Sequence, residues 1–291
     1  MENKCSKCGG THWVVELREG SFICLHCFME ISKKELLTPV EVDALLSLHS
    51  DETILRIVSW NSHYGLNLAK YQRIMKYGPQ LLIIQECRKS DYEFIKNTWN
   101  YKNWYNDDFY TDESEYGSEN GIAIFSNDYK IEFTEIFNRK YRYIIPYEIS
   151  NNGYKFVIFI VWVKPFNKNY TKHLYEAVNY YREKNMLDNH SLIIGDFNTF
   201  AKDEKSLEIL GEKLKPLINT AQKTEDVWKT STYYHGENNY GINDFCFASK
   251  DINDDINVSI PSGWDKEKRK DYHWNGLSDH APIIINYKIK L

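Results

Sequence analysis

Ser191-Leu-Ile-Ile-Gly195-Asp196-Phe197-Asn198 sets three apolar residues directly against a glycine, with two polar side chains following. A short apolar run closed by a turn residue reads as a buried strand. Asp196 and Asn198, two positions apart in extended chain, face the same side of the strand end. Three other stretches repeat the arrangement. The run 54–59 ends in Ser59-Trp60-Asn61, and 81–85 ends in Gln85-Glu86. Ser278-Asp279-His280 stands immediately before the apolar run 282–289.

Working outward, further strands are expected at 121–126, 131–136, 142–149, 155–163, 231–234, 243–248 and 255–260. Helical periodicity is expected at 67–77, 90–98, 169–184 and 203–213. Strands outnumber helices, which favours two packed sheets with helices outside over one doubly wound sheet. With 291 residues, 42% hydrophobic and 26% charged, the chain can bury a substantial core. It contains no apolar stretch of membrane-spanning length, and Met1-Glu2-Asn3-Lys4-Cys5 does not open a signal peptide, so a cytoplasmic protein is expected. A formal net charge of -5 supplies no global attraction for nucleic acid, and leaves that task to metal ions or to local basic clusters.

The ordered strings Trp60-Asn61, Gln85-Glu86, Gly195-Asp196-Phe197-Asn198, Asp244-Phe245 and Ser278-Asp279-His280 resemble the signatures of the endonuclease/exonuclease/phosphatase (DNase I-like) superfamily over residues 54–290. Each string alone is common; the set, in order and at strand ends, is specific. The resemblance implies a four-layer α/β sandwich, two packed mixed β-sheets with outer helices, as a catalytic domain at 54–291. It also implies a magnesium-dependent (or manganese-dependent) nuclease hydrolysing phosphodiester bonds of DNA or RNA.

In the roles the resemblance implies, Glu86, Asn61 and Asp279 serve the metal, Asp196 orients or activates water, and Asn198 positions water and phosphate. His280 donates to a phosphoryl oxygen, while Asp244 fixes its tautomer and favours imidazolium. One departure stands out. In Phe159-Ile160-Val161-Trp162-Val163, Trp162 occupies the place where many members carry a histidine that protonates the leaving group. Metal-bound water or a tyrosine is then the expected proton source; plain core packing is the other reading of Trp162. The competing functions are a phosphatase or phosphodiesterase on a small or lipid-linked phosphate, and a binding protein with a decayed site.

The N-terminal part reads separately. Cys5-Ser-Lys-Cys8 and Cys24-Leu-His-Cys27, separated by residues 9–23, have the spacing of a four-cysteine zinc site. A zinc ribbon is expected at 1–30, its Zn2+ structural, with a helical linker at 31–53 that includes a helix near 39–49. The ribbon suits nucleic-acid or protein partners. His12 and His26 are expected as surface residues, and Cys87 and Cys246 as buried thiols.

Two basic stretches are candidate substrate contacts: Lys266, Lys268, Arg269 and Lys270, and Arg139, Lys140 and Arg142 interleaved with Tyr141 and Tyr143. For the first, a solvated loop is the commoner reading of such a run. The two tyrosines face either a nucleic acid or the core.

Overall fold

A computed structural model describes residues 14–16, 22–24, 52–106, 120–163, 170–201, 204–215, 217–220, 231–234, 240–261 and 277–290. The chain divides into two units, Met1–Asp51 and Glu52–Leu291. In the first, strands β1 (Val14–Glu16) and β2 (Phe22–Cys24) pair antiparallel, Val14 opposite Cys24. Cys5, Cys8, Cys27, His12, His26 and the helix expected at 39–49 lie outside the described residues.

The second unit is built on two mixed sheets. One contains β3 (Glu52–Asn61), β4 (Leu81–Arg88), β5 (Tyr101–Tyr105), β6 (Asn120–Ser126), β14 (Ile256–Ser259) and β15 (Ile283–Lys290), in the order β14-β15-β3-β4-β6-β5. The other runs β11-β13-β10-β9-β8-β7, with β12 (Tyr233–Tyr234) paired to β13. Its members are β7 (Lys130–Phe133), β8 (Ile144–Asn151), β9 (Tyr154–Trp162), β10 (Ser191–Ala201), β11 (Ile218–Asn219) and β13 (Tyr240–Ala248).

Each sheet has one parallel pair near its centre, β3 with β4 and β9 with β10. Parallel neighbours need a crossover, and helices α1 (Leu68–Met75) and α3 (Tyr170–Glu183) supply them. Helix α2 (Lys89–Ile95) follows β4, and α4 (Glu204–Lys213) follows β10. No described helix is long and apolar enough to cross a membrane.

Alternation along the strands makes two cores from one sheet. One face of the seven-stranded sheet sends Ile158, Ile160, Leu192, Ile194 and Cys246 against Leu55, Ile57, Leu81, Ile83 and Ile285 of the six-stranded sheet. The other sends Phe159, Val161, Ile193, Phe197, Phe245 and Phe247 against Leu174, Ala177, Val178 and Tyr181 of α3 and Leu210 of α4. Each such buried side chain contributes about 1.5–3 kcal/mol relative to exposure. Two packed mixed sheets with helices outside is the expected architecture.

Two details differ from the sequence reading. The strand expected from 142 begins at Ile144; Arg139–Tyr141 is a 3₁₀ turn, because the Asn138 side chain accepts from Lys140 N at 3.0 Å and turns the chain. Tyr141 and Tyr143 are therefore buried, Tyr141 against Tyr180 and Tyr181 and Tyr143 against His173, and neither ring is presented for stacking on a base. Arg142 is half-buried beside them. The second difference is in strands β5 and β11, neither of which was expected.

Candidate active site

The ends of β3 and β4, the middles of β10 and β13 and the segment before β15 meet in one site. Register does much of the placing. Asn61 lies beside Gln85 across the parallel β3–β4 pair, and Asp196 lies directly opposite Asp244 across β10–β13. Two carboxylates are thus neighbours on one sheet face. On the other flank of Asp196, β9 places Trp162 in register and on the same face, buried in the core between the sheets.

Backbone irregularities aim the remaining groups. The β4–β6 register slips between Gln85 and Cys87, and Glu86, at the slip, has φ 58. Beyond Asp196 the β10 register breaks as well, and Asn198 has φ 46. His63 and Tyr64, just past β3, have φ 45 and 60. Glutamate and tyrosine rarely adopt this left-handed region, so strain of order 1–3 kcal/mol per residue is stored at those two positions. Gly195, at φ +135, allows a close approach: an added Cβ would stand 2.1 Å from Val161 O and 2.8 Å from Gln85 Nε2 of the opposite sheet.

Asn61 is the hub. Its Nδ2 donates to Glu86 Oε1 at 3.0 Å and to Asp196 Oδ2 at 2.9 Å, and its Oδ1 accepts from His63 N at 2.9 Å. Two carboxylates and one N–H fix the amide orientation, so Asn61 faces both acids through its nitrogen. Asp196 also accepts from Asn198 N at 2.8 Å and Asn198 Nδ2 at 3.0 Å, while Asn198 Nδ2 reaches Val163 O at 2.7 Å. Tyr64 N donates to the second oxygen of Glu86 at 3.0 Å.

His280 Nδ1 is 2.8 Å from Asp244 Oδ2, and Nε2 points at Asp196 Oδ2 across 3.9 Å, too far for a hydrogen bond. Asp244 leaves Nδ1 as the donor. Trp60 Nε1 donates to His280 O at 2.9 Å, and Ser278 Oγ donates to Asn61 O at 2.8 Å and accepts from His280 N at 3.1 Å. The histidine is thereby tied to the end of β3. Thr232 Oγ1 accepts from Asp244 N at 3.0 Å, holding the other partner.

Burial and charge set the protonation states. Asp196 is fully buried, and this pushes its carboxyl up to about 7; the positive His280 opposes the rise and Asp244 adds to it. At His280 burial favours the neutral ring, but Asp244 and then Asp196 outweigh it and raise the imidazole to about 10. The ring is an imidazolium facing an acid that titrates near neutrality. At Asp279 burial resists ionisation, yet His63 and the charge on His280 hold the carboxyl below its ordinary range. Asp279 Oδ1 lies 3.1 Å from His63 Nδ1, without the geometry of a good hydrogen bond.

Asp196, Asp244 and His280 also bring ligand atoms within 4.8 Å of one another, a grouping able in principle to take a metal. A cation between them would have to displace the imidazolium proton shared with Asp244. The chemistry of Glu86 and Asp279 fits a hard divalent ion better. Both offer carboxylate oxygens, and the buried Asp279 Oδ1 has no hydrogen-bond donor.

Of the residues expected from sequence, Asn61, Glu86, Asp196 and Asn198 are joined by hydrogen bonds. Asp244, His280 and Trp162 flank Asp196, and Asp279 adjoins His280. Lys266, Lys268, Arg269 and Lys270 lie outside the described residues. Sequence reasoning passed over His63 and Tyr64; a polar run ending in glycine, Ser62-His63-Tyr64-Gly65, directly after a motif strand is the signal that marks them.

A model of the Endonuclease/Exonuclease/phosphatase family matches residues 58–280. No curated protein matches the sequence. Among solved structures, the chain resembles the 3'-5' exonuclease NExo from Neisseria meningitidis, with TM-score 0.57 and 16% identity over 81% of this chain and 100% of that one. Truncated Caenorhabditis elegans TDP2 gives TM-score 0.55 and 14% identity, covering 81% and 98% of the two chains. The endonuclease domain of TRAS1, a telomere-specific non-LTR retrotransposon, gives TM-score 0.52 and 13% identity, covering 82% and 100%. At these identities the likeness is one of fold.

Proposed function

From the premise that this chain belongs to the endonuclease/exonuclease/phosphatase family, whose model spans residues 58–280, we propose that it is a divalent-metal-dependent nuclease hydrolysing phosphodiester bonds of DNA or RNA. The observation that carries the proposal is the buried Asp196 carboxylate, held by Asn61 and Asn198 and faced by a His280 imidazolium backed by Asp244.

In this reading Asp196 takes the proton of the attacking water. Its carboxyl, raised to about 7, is a far better proton acceptor than an ordinary aspartate and is still ionised in part at neutral pH. Asn61 and Asn198 hold both of its oxygens, which fixes the direction of attack. His280 keeps its proton at Nε2 and donates to a phosphoryl oxygen as negative charge grows there. Asp244 prevents the ring from turning or losing its charge.

Glu86 and Asp279 are the residues that would hold a magnesium or manganese ion, with Asn61 bracing Glu86 through its amide nitrogen. Such an ion supplies Lewis-acid neutralisation of the phosphate and eases departure of the leaving oxygen. Trp162 offers no titrating group beside Asp196; its bulk keeps water from that flank and so contributes to the raised carboxyl.

A similar solved structure, the 3' phosphatase NExo from Neisseria, is bound to a product DNA hairpin. That complex, with the telomere-specific TRAS1 endonuclease domain, supports a nucleic acid as substrate. Residues 1–30 are proposed as a zinc ribbon, supported by the Cys5/Cys8 and Cys24/Cys27 spacing and by the β1–β2 hairpin, with 31–53 as a linker and 54–291 as the catalytic domain. Docking of nucleic acid or protein is the ribbon's proposed role.

The test is incubation of the full chain with single- and double-stranded DNA and RNA, in magnesium, manganese or chelator. Metal-dependent cleavage of at least one polymer is expected. Turnover of a small phosphate ester with all four polymers intact would replace the nuclease by a phosphatase.

A further inference from the structure

Lys70 lies in the first turn of α1, where a cation is on the wrong end of the helix dipole. Its side chain is nonetheless buried, 8% exposed, and leaves the helix for the loop before it. The ammonium donates to Ser62 O, to His63 O at 2.8 Å and to Gly65 O at 2.9 Å. Three carbonyls consume three N–H donors, and only the charged amine has three. Burial pulls its pKa below the ordinary lysine value, while Glu86, Asp91 and Asp279 act to keep the charge.

The loop so gripped has two residues with left-handed backbone, His63 and Tyr64. From that shape His63 Nδ1 comes within 3.1 Å of Asp279, and Tyr64 N donates to Glu86 at 3.0 Å. Ser62 N and Oγ both donate to Gln85 O at 3.0 Å, and Leu66 N to Asp91 Oδ2 at 2.9 Å. These anchors hold the two ends. Lys70 alone among them draws the carbonyls of the turn itself toward one point.

We propose that Lys70 is a positioning residue of the active site, a buried cation that holds Ser62–Gly65 in the strained turn from which His63 meets Asp279 and the Tyr64 N–H meets Glu86. The proposal rests on the phosphodiesterase reading above. Lys70 touches neither carboxylate; it acts through the backbone of the turn. Its loss lets the turn relax toward ordinary φ values, withdrawing one partner from each acid.

The test compares the full-length wild type with Lys70→Met, which keeps the length of the side chain and removes its donors. kcat and KM are measured on a phosphodiester substrate at saturating magnesium. The His63 ring resonances, assigned with His63→Gln, are followed by NMR in metal-free protein, and circular dichroism reports folding at the assay temperature. Folded Lys70→Met should lose about 100-fold in kcat, the cost of a displacement on the order of 1 Å. KM should stay within about threefold, and the His63 resonances should move.

A kcat within about twofold of wild type in the folded variant, or unmoved His63 resonances, overturns the proposal. If Lys70→Met does not fold, Lys70→Gln, which retains an amide donor, takes its place: about 10-fold lower kcat with shifted His63 resonances is expected, and wild-type values overturn the proposal. A wild type inert toward every phosphodiester defeats the functional reading instead, and the resonance comparison still decides the role of Lys70.

Discussion

The two ends of the sandwich are built from the same strands and treat the backbone differently. At the end carrying Asp196, left-handed conformations fall on His63, Tyr64, Glu86 and Asn198. At the far end they fall on Asn152 and Asn185, with His190 the third. Asn152 precedes Gly153 in the β8–β9 hairpin, where Asn-Gly is the pairing a tight turn prefers, and asparagine and histidine are among the side chains that enter this region most readily. At the site end glutamate and tyrosine occupy conformations that only surrounding contacts can enforce. The difference extends to polarity. Asn61, Gln85, Asp196, Asp244, Ser278, Asp279 and His280 are all buried at the site end. The far end closes with the Tyr154–Tyr287 hydroxyl pair and the half-exposed His190–Asp251 contact. One end is organised for stability, the other spends stability on chemistry.

Substitution at the two ends should therefore part company. The largest effect is expected for His280→Gln, which removes the imidazolium from the site: kcat should fall by about three orders of magnitude, with the fold retained by circular dichroism. At the far end His190→Gln should leave turnover within about twofold, because its partner Asp251 is solvent-facing. A comparable loss from both would erase the distinction.

Acidity sharpens the comparison next. The His280 imidazole, raised from an ordinary 6.5 to about 10 by Asp244 and Asp196 against the pull of burial, binds its proton more tightly in the folded state than in the unfolded one. That contribution to stability is complete below about 6.5 and drains away as pH rises toward 10. Urea unfolding of chelator-treated protein should show the stability advantage of wild type over Asp244→Asn shrinking across this window. An advantage that grows with pH would contradict the assigned charge.

Smaller, and of opposite sign to the usual site mutation, is the effect of relieving strain. Tyr64→Gly should stabilise the fold by about 1 kcal/mol in thermal denaturation while keeping the N–H that meets Glu86, since glycine accepts φ 60 without strain and the side chain it removes is exposed. Asn152→Gly should change stability by only a few tenths of a kcal/mol, asparagine being already suited to its turn.

Much of this was legible in the residues. The inner strands announced themselves as apolar runs because both of their faces are buried, and their polar ends then marked the site. Strand β5, Tyr101-Lys-Asn-Trp-Tyr105, did not, because an edge strand with exposed positions lacks an apolar run. The two-residue β11 exists only through its pairing with β13. Tyr141 and Tyr143 imitate strand alternation, and the cap from Asn138 that prevents it is a three-dimensional fact. Lys70 reads as one more charged residue of an amphipathic helix until three carbonyls are seen around it. The opposition of Asp196 and Asp244 is a matter of register, which no single strand reveals.

The claim on which the rest depends is that Asp196 is buried for chemistry and not for cohesion. Asp196→Asn keeps the size of the side chain while removing its negative charge and one of its two acceptor oxygens. Its kcat on the phosphodiester cleaved by wild type, measured beside a thermal melt, separates the two. A loss of at least about 1,000-fold is expected, with a melting temperature equal to or above that of wild type, since burial, which raises this carboxyl to about 7, makes its charge costly despite the amide donors around it. Turnover near the wild-type rate, or a collapse of stability that parallels the loss of activity, would contradict it.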